Sequence, residues 1–401
     1  MLPINKEKER EFFVILVLTC VQIIHIVDAM LIMPLGPQFM RIWDVDAAQF
    51  GVLISVYTSC ATVSAILCAL LINQFDRRST LIFLYSGFII SVLCCVLAYD
   101  YKTLVLARGL SGFFGGVLNA IVFSIIADIV PETRRGFALG KIGIAFPLSS
   151  VAGVPLGMLL ANTFDWHAPY YALLVLSLIV GAGIFKWIPS LKPHTQKSLS
   201  QNPIKQSIMI LSDRNHLKAL ALVGILFLGG FSVIPFIAPY MVLNVGLKEA
   251  DLPLIYFCGG LAAIFTSRII GKLCDRHGKI KIFTIVALIS IVPIIISTNL
   301  PPVPLWLALT ASTFFMIFVS GRFIPAMAII SAAAPPHLRA GFMSFNSASQ
   351  QLAMSIATIS SALIIGSSSS GSLTNYWIVG LISVTCTITS IFIAIRIKTT
   401  N

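Results

Sequence analysis

The chain alternates long apolar runs with short polar stretches. Twelve runs can be counted, at approximately 12–34, 49–72, 79–98, 103–127, 137–161, 169–188, 217–242, 251–272, 281–298, 304–329, 342–366 and 375–395. Each is close to the about 20 residues that an α-helix needs to cross the hydrocarbon core of a bilayer. In hydrocarbon a backbone must satisfy its own hydrogen bonds, so runs of this length predict helices. The longest polar stretch, Pro189 to Leu217, is basic, rich in Ser, Gln and Asn, and holds three prolines. It divides the runs into six and six. The expected layout is a first six-helix bundle over 1–188, a basic linker over 189–216 and a second bundle over 217–401.

Composition agrees with that pattern. Hydrophobic residues make up 57% of the chain and charged residues only 10%, against about 25% charged in a soluble domain. The net charge of +12 raises the question of nucleic acid, but the placement of the cations answers it. With the N-terminus inside and the loops alternating, 21 Lys and Arg fall on the inner side and three (Arg41, Lys102, Lys248) on the outer, with Arg108, Arg268 and Arg322 left within runs. Such a bias is an orientation signal. It predicts both termini in the cytoplasm and no nucleic-acid partner. All five tryptophans lie at run ends or in short loops, where an aromatic belt meets the lipid headgroups.

The eight cysteines lie in or beside apolar runs and show no metal-ligand spacing, so they read as packing residues. The opening MLPINKEKER resembles the charged part of a signal peptide. However, the run after it is too long and lacks a small-residue cleavage site, so a retained first helix is expected.

Candidate chemistry is concentrated in the first run. Gln22, His25 and Asp28 are spaced three apart and so lie near one helical face. At a rise of about 1.5 Å per residue, Asp28 lies roughly 24 Å from Phe12 and roughly 9 Å short of Pro34. No other Asp or Glu falls that deep in an apolar run. A carboxylate in hydrocarbon costs a few kcal/mol, so it must either pair with a buried base or serve as an ion or substrate site. In the fourth run Arg108, Gly112, Gly115 and Asn119 share a face, and Arg108 lies about 8 Å deep from Thr103 by the same count. An Asp28–Arg108 pair is the leading account of how both charges are tolerated, with snorkelling of Arg108 as the alternative. His25 is the other candidate for carrying a proton. Arg322 counts to about 27 Å past Pro304, near the inner end of its run, where snorkelling or an inner ion pair is expected and ligand binding is the alternative. In the eleventh run Asn346 and Gln350 share a face and are candidates to line a cavity with Gln22 and Asn119; helix–helix contact is the alternative.

Two segments recur at nearly one offset. Pro131-Glu-Thr-Arg134-Arg-Gly136-Phe137 returns as Pro336-His-Leu-Arg339-Ala-Gly341-Phe342, and Ala69-Leu-Leu-Ile-Asn73-Gln-Phe-Asp76-Arg77-Arg78 as Gly271-Lys-Leu-Cys-Asp275-Arg276-His-Gly278-Lys279. This pattern indicates duplicated halves, as in many transporters.

The stretch Gly271 to Lys281, G-x-x-x-D-R-x-G-K-x-K, resembles the cytoplasmic loop signature of the major facilitator superfamily. The copy at Asn73, Arg77 and Arg78 differs, with Ala69, Asn73 and Asp76 where Gly, Asp and Gly are expected. Arg108 with its following glycines is similar to a second signature of that superfamily. Gly153-Val-Pro155-Leu-Gly157 is similar to the proline-glycine signature in the fifth helix of drug:proton antiporters. Trp166-His167 stands where relatives in the bacterial sugar-efflux branch often carry Trp-Arg. The resemblance spans essentially the whole chain. It implies an all-α membrane protein of twelve transmembrane helices in two pseudo-symmetric bundles, resident in the lipid bilayer of the bacterial cytoplasmic (inner) membrane, binding a small-molecule substrate and protons and acting as a monomer. Asp275, Arg276, Gly278 and Lys279 would then shape the change of conformation.

The sequence has no nucleotide-binding glycine loop, metal set or nucleophile with a base, so neither enzyme chemistry nor a cofactor is expected. Without an ATP site, uphill transport must draw on an ion gradient. The expected activity is proton-coupled efflux (antiport) of a small organic solute by alternating access. A proton-coupled importer of a nutrient or metal chelator and a non-transporting membrane receptor remain the alternatives.

Overall fold

In the computed structural model, residues 4–71, 75–130, 132–189, 203–335, 338–368 and 371–398 are described. Almost all of them are helical. The first half holds α1 (Ile4–Leu31), α2 (Gly36–Trp43), α3 (Ala47–Leu71), α4 (Arg77–Val96), α5 (Tyr101–Gly115), α6 (Leu118–Ile129), α7 (Glu132–Gly143), α8 (Ala145–Leu148), α9 (Val154–Thr163) and α10 (Ala168–Trp187). The second half holds α11 (Pro203–Ser212), α12 (Arg214–Val233), α13 (Ile237–Leu243), α14 (Leu252–His277), α15 (Lys279–Thr298), α16 (Leu305–Gly321), α17 (Phe323–Ala333), α18 (Arg339–Ile364) and α19 (Tyr376–Ile395). Each half is a bundle of six membrane spans.

Several runs read as single helices are broken, and their residues explain why. The helix of the first run ends at Leu31, and a separate short helix starts at Gly36 after a turn containing Pro34. The fourth is split after the Gly115-Gly116 pair, and the tenth at Gly321-Arg322. The fifth passes through a π turn, Ser149–Gly153, just before Pro155. Proline removes a backbone donor and glycine weakens the helix, so breaks gather where these residues occur. The seventh run breaks in the same way at Pro235, which keeps the two halves alike.

Among the described residues eleven spans are long and apolar enough to cross a membrane. The remaining helix, α18, carries Asn346, Gln350, Gln351 and a series of serines. The described part of the 189–216 stretch is largely helical. It contains α11, and Asp213 caps α12 by accepting backbone N–H bonds from Asn215 and His216 at 2.6 and 3.0 Å. The fold is not wholly helical, because Gly366–Ser367 (β1) pairs antiparallel with Leu373–Thr374 (β2). Gly371, at φ +81°, supplies the left-handed turn between them. The Asn244 amide clamps this hairpin through both backbone groups of Leu373, at 2.9 Å each.

Several contacts join the halves at the end remote from the termini. Arg41 pairs with Glu249 at 3.1 Å, and Asn162 donates to the Glu249 carbonyl at 3.3 Å. Phe50 meets Phe236 edge-on, with ring centres 5.9 Å apart. Gly51 lies so close to Ala362 that a Cβ there would fall 2.2 Å from the Ala362 methyl. Further along the helices, the Ser59 and Ser355 hydroxyls bond across the halves, and a Cβ on Gly260 would lie 3.0 Å from Val151 Cγ2. The contacts at the far end hold the two halves together there.

Candidate functional site

Helices α1 and α5–α6 face each other as two rows of polar and small residues. At the top, Arg108 Nη1 donates to Asp28 Oδ1 at 2.9 Å, and neither side chain has any exposed surface. One turn along α1, His25 lies against Gly115, where a Cβ would be 3.2 Å from His25 Cδ2 and 3.1 Å from Tyr57 Oη. One turn further, Gln22 Nε2 donates to Asn119 Oδ1 at 2.7 Å. The pairs 28–108, 25–115 and 22–119 form a ladder down the bundle. Spacings of three on one helix and of four or seven on the other bring them into register.

The glycines make this approach possible. A Cβ on Gly112 would lie 2.0 Å from the Tyr57 backbone carbonyl, so α3 and α5 pack backbone to backbone. Gly153 and Gly157 seat the other side of α1. A Cβ at either would strike Val27 Cγ2 at 2.3 Å or Leu31 Cδ1 at 2.6 Å. Val27 and Leu31 flank Asp28, so the Gly153-Pro155-Gly157 segment sets the position of the turn that carries the carboxylate. Ser149 adds a hydrogen bond to the Ile23 carbonyl at 3.2 Å. The two glycine contacts predict different outcomes. Gly112→Ala meets immovable backbone and should cost at least the upper end of the about 1–3 kcal/mol typical of overpacking. Gly157→Ala meets the tip of a flexible leucine and should cost about 1 kcal/mol or less. Thermal unfolding in detergent checks the contrast; equal losses would contradict it.

The pair is only half saturated. Asp28 Oδ2 and Arg108 Nε and Nη2 are buried without a protein partner, as are His25 Nδ1 and the Tyr57, Tyr85 and Tyr170 hydroxyls. The Arg108 guanidinium stacks over the Tyr57 ring at 4.6 Å, an arrangement that helps hold a cation out of water. Behind Arg108's helix, Ser111 donates to Ser91 at 3.0 Å. A carboxylate with one oxygen held by arginine and the other unbonded can accept a proton or a hydroxyl without rebuilding the site. The tyrosines were not singled out from sequence. Their signal was a hydroxyl deep in an apolar run, which when buried usually needs a partner.

The other candidate residues fall elsewhere. Asn346 is buried with both amide atoms unpartnered, and Gln350 is half-buried; no hydrogen bond joins them to the α1–α5 ladder. Asp275, Arg276, Gly278 and Lys279 are all exposed. Gly278 alone connects α14 to α15, at φ +92°. The first-half copy is the engaged one. Asp76 caps α4 by accepting from Ser79 N at 3.0 Å, buried Arg77 pairs with Asp128 at 3.4 Å, and Arg78 donates to the Phe185 carbonyl at 2.9 Å. Asn73 lies outside the described residues. Arg322 departs from its expected place. It neither snorkels nor pairs with an acid, but is fully buried with Nη1 donating to Thr387 Oγ1. On the far end, Asp100 caps α5, and the Thr103 hydroxyl bonded to it at 2.6 Å holds its carboxyl below the usual carboxylate range.

Comparison with known proteins agrees with this architecture. The model of the Major Facilitator Superfamily matches the chain twice, over residues 18–219 and 219–400. A probable sugar efflux transporter of Helicobacter acinonychis is 25% identical over 238 residues, and one of Helicobacter pylori is 23% identical over the same length. Each alignment covers 59% of this chain and 59% of the relative. Among solved structures, a D-xylose-proton symporter superposes with a TM-score of 0.74 at 16% identity, covering 94% of this chain and 97% of that one. A nucleoside transporter superposes with a TM-score of 0.73 at 12% identity, covering 96% and 99%. At these identities the structures speak for the fold: two six-helix halves. The chain belongs to the major facilitator superfamily and is a multi-pass membrane protein.

Proposed function

We propose that this transporter exports a small organic solute, of sugar size, from a bacterial cytoplasm in exchange for protons. Asp28 carries the proton and Arg108 is its partner. The observation that carries the reading is the fully buried pair at 2.9 Å with one free carboxylate oxygen. The name borne by the Helicobacter relatives supports solute class and direction. With both termini in the cytoplasm, as the basic residues favour, the closed far end faces outward and the molecule waits for solute from inside. In this state Asp28 is charged and held by Arg108. Solute then engages the ladder, where the Gln22 and Asn119 amides suit hydroxyl groups, with Asn346 and Gln350 opposite. When the far end opens, Asp28 takes a proton, Arg108 loses its counter-charge, and solute leaves. Return to the inner state releases the proton. The protein acts as a monomer in the inner membrane, and the loop 271–279 engages in the other state.

Everted membrane vesicles test this reading. With an acid interior, they should accumulate labelled mono- or disaccharide, and a protonophore should empty them. Uptake that needs acid outside would make the protein an importer, and no flux in either gradient would remove the transport assignment for these solutes.

The far end supplies a related expectation. Arg41–Glu249 is largely exposed on the arginine side, so Arg41→Ala should change stability by no more than about 1 kcal/mol. It should nevertheless favour the state open at the far end. A cysteine introduced at Gln38, now buried at 6% exposure, should label faster from outside in Arg41→Ala. Unchanged labelling would mean that the ion pair does not latch the halves.

A further inference from the structure

The second half of the molecule buries a cation without supplying a counter-charge. Arg322 lies in the break between α16 and α17 and has no exposed surface. From residue 217 onward the chain contains only three acidic residues, Glu249, Asp251 and Asp275. None of them is near enough to serve. Glu249 pairs with Arg41, Asp251 bonds the Lys248 backbone at the start of α14, and Asp275 is exposed at its other end. Arg322 bonds Thr387 and lies beside Gly230, around which Ile234 and Phe323 also pack. Buried charges are ordinarily paired, because an isolated ion loses its hydration with nothing in return.

Its free atoms have a definite shape. Nη1 is used by Thr387, while Nε and Nη2 are buried without a protein partner. Those two nitrogens form one edge of the guanidinium, the edge that receives a carboxylate through two parallel hydrogen bonds. The internal duplication adds a second observation. Gly230 stands 202 residues after Asp28, and each lies three residues before the end of its helix, α12 or α1. A Cβ on Gly230 would sit 3.8 Å from Arg322 Nη2, from Ile234 Cδ1 and from Phe323 Cζ alike. The second half thus also sets a guanidinium against the last turn of its first helix, with a glycine where the first half has its carboxylate, although Arg322 stands 214 residues after Arg108 and is not its counterpart in the duplication.

We propose that the free edge of Arg322 binds the carboxylate of an anionic solute, a sugar acid or similar hydroxy acid, which supplies the counter-charge the chain omits. This rests on the transport reading and narrows its substrate class. Access would come with the rearrangement of the bundle that alternating access requires.

The test is binding to purified protein, read as thermal stabilisation in detergent. The probes are galacturonate, gluconate and lactate, each against a matched neutral compound (galactose, sorbitol, propane-1,2-diol), with acetate at equal concentration. At least one hydroxy acid should bind wild type about tenfold or more tightly than its neutral partner, the difference expected of one charge-assisted bidentate contact. Arg322→Gln should lose that preference and Arg322→Lys should keep part of it. Gly230→Asp places an internal carboxylate beside Nη2; it should raise the melting temperature of the free protein and abolish the preference. This variant keeps the test decisive if Arg322→Gln fails to fold. No preference in wild type, or a preference that survives Gly230→Asp, overturns the proposal. Full stabilisation by acetate alone would make Arg322 a holder of small free anions and overturn the solute assignment. If hydroxy acids bind as expected but no proton moves, proton coupling fails and the anion site stands.

Discussion

Asp28→Asn should abolish pH-driven uphill transport while leaving a folded protein. The amide matches the carboxylate in size and can still accept from Arg108 Nη1, now at 2.9 Å from Asp28 Oδ1. It cannot exchange a proton near neutral pH. Export against a gradient should fall to background, a loss of at least about a hundredfold if the proton step is obligatory. Downhill exchange of solute should persist, because Gln22 and Asn119 remain bonded at 2.7 Å and the cavity keeps its shape. The measurement is labelled-sugar flux in proteoliposomes with and without an imposed pH gradient. Uphill transport that survives in Asp28→Asn would remove the carboxylate from the coupling step.

Arg108→Ala should have the largest effect on stability. It takes away the partner of a carboxylate that has no exposed surface, and breaking a buried pair from one side costs about 3–5 kcal/mol. It also empties the space over the Tyr57 ring, where the guanidinium now stacks at 4.6 Å. Asp28→Asn also leaves Arg108 buried without its counter-charge, but the amide keeps the size of the carboxylate and an oxygen that accepts from Nη1, so it should cost less than Arg108→Ala. Combining Asp28→Asn with Arg108→Gln should recover most of the stability lost in Arg108→Ala and none of the uphill transport. Thermal unfolding of the purified variants decides this. Similar melting temperatures for wild type and Arg108→Ala would mean that the pair contributes little to the fold.

Much of this arrangement is legible in the sequence, for physical reasons. Apolar run lengths mark the spans because the bilayer sets a minimum, and the rarity of acids in hydrocarbon marks Asp28. Helical spacing places Gln22, His25 and Asp28 on one face and Arg108, Gly115 and Asn119 on another. The structure brings these faces together. Helix breaks were less legible, since a proline or glycine permits a break but packing decides whether it occurs; the π turn at Ser149–Gly153 is an example. Tyr57 and the Arg41–Glu249 contact arise from residues far apart in the chain, and nothing local announces them. The surroundings of Arg322 were misread because depth along a helix does not say which neighbouring helix a side chain meets. The long side chain instead turns to Thr387 and Gly230. The loop at Asp275 matches the signature better than its first-half copy, yet in this state Arg77 and Asp76 are the residues engaged. A motif fixes residue types, while the conformational state decides which copy is in contact.

The central claim is that Asp28, not His25, carries the proton that solute export consumes. His25 is one turn away, half-buried, with Nδ1 lacking a protein partner, so it is the natural rival. The direct measurement is proton movement in weakly buffered proteoliposomes when solute is added, for wild type, Asp28→Asn and His25→Gln. The account predicts a solute-dependent proton signal in wild type and in His25→Gln, and none in Asp28→Asn. An undiminished signal in Asp28→Asn, or a signal lost only in His25→Gln, would contradict it.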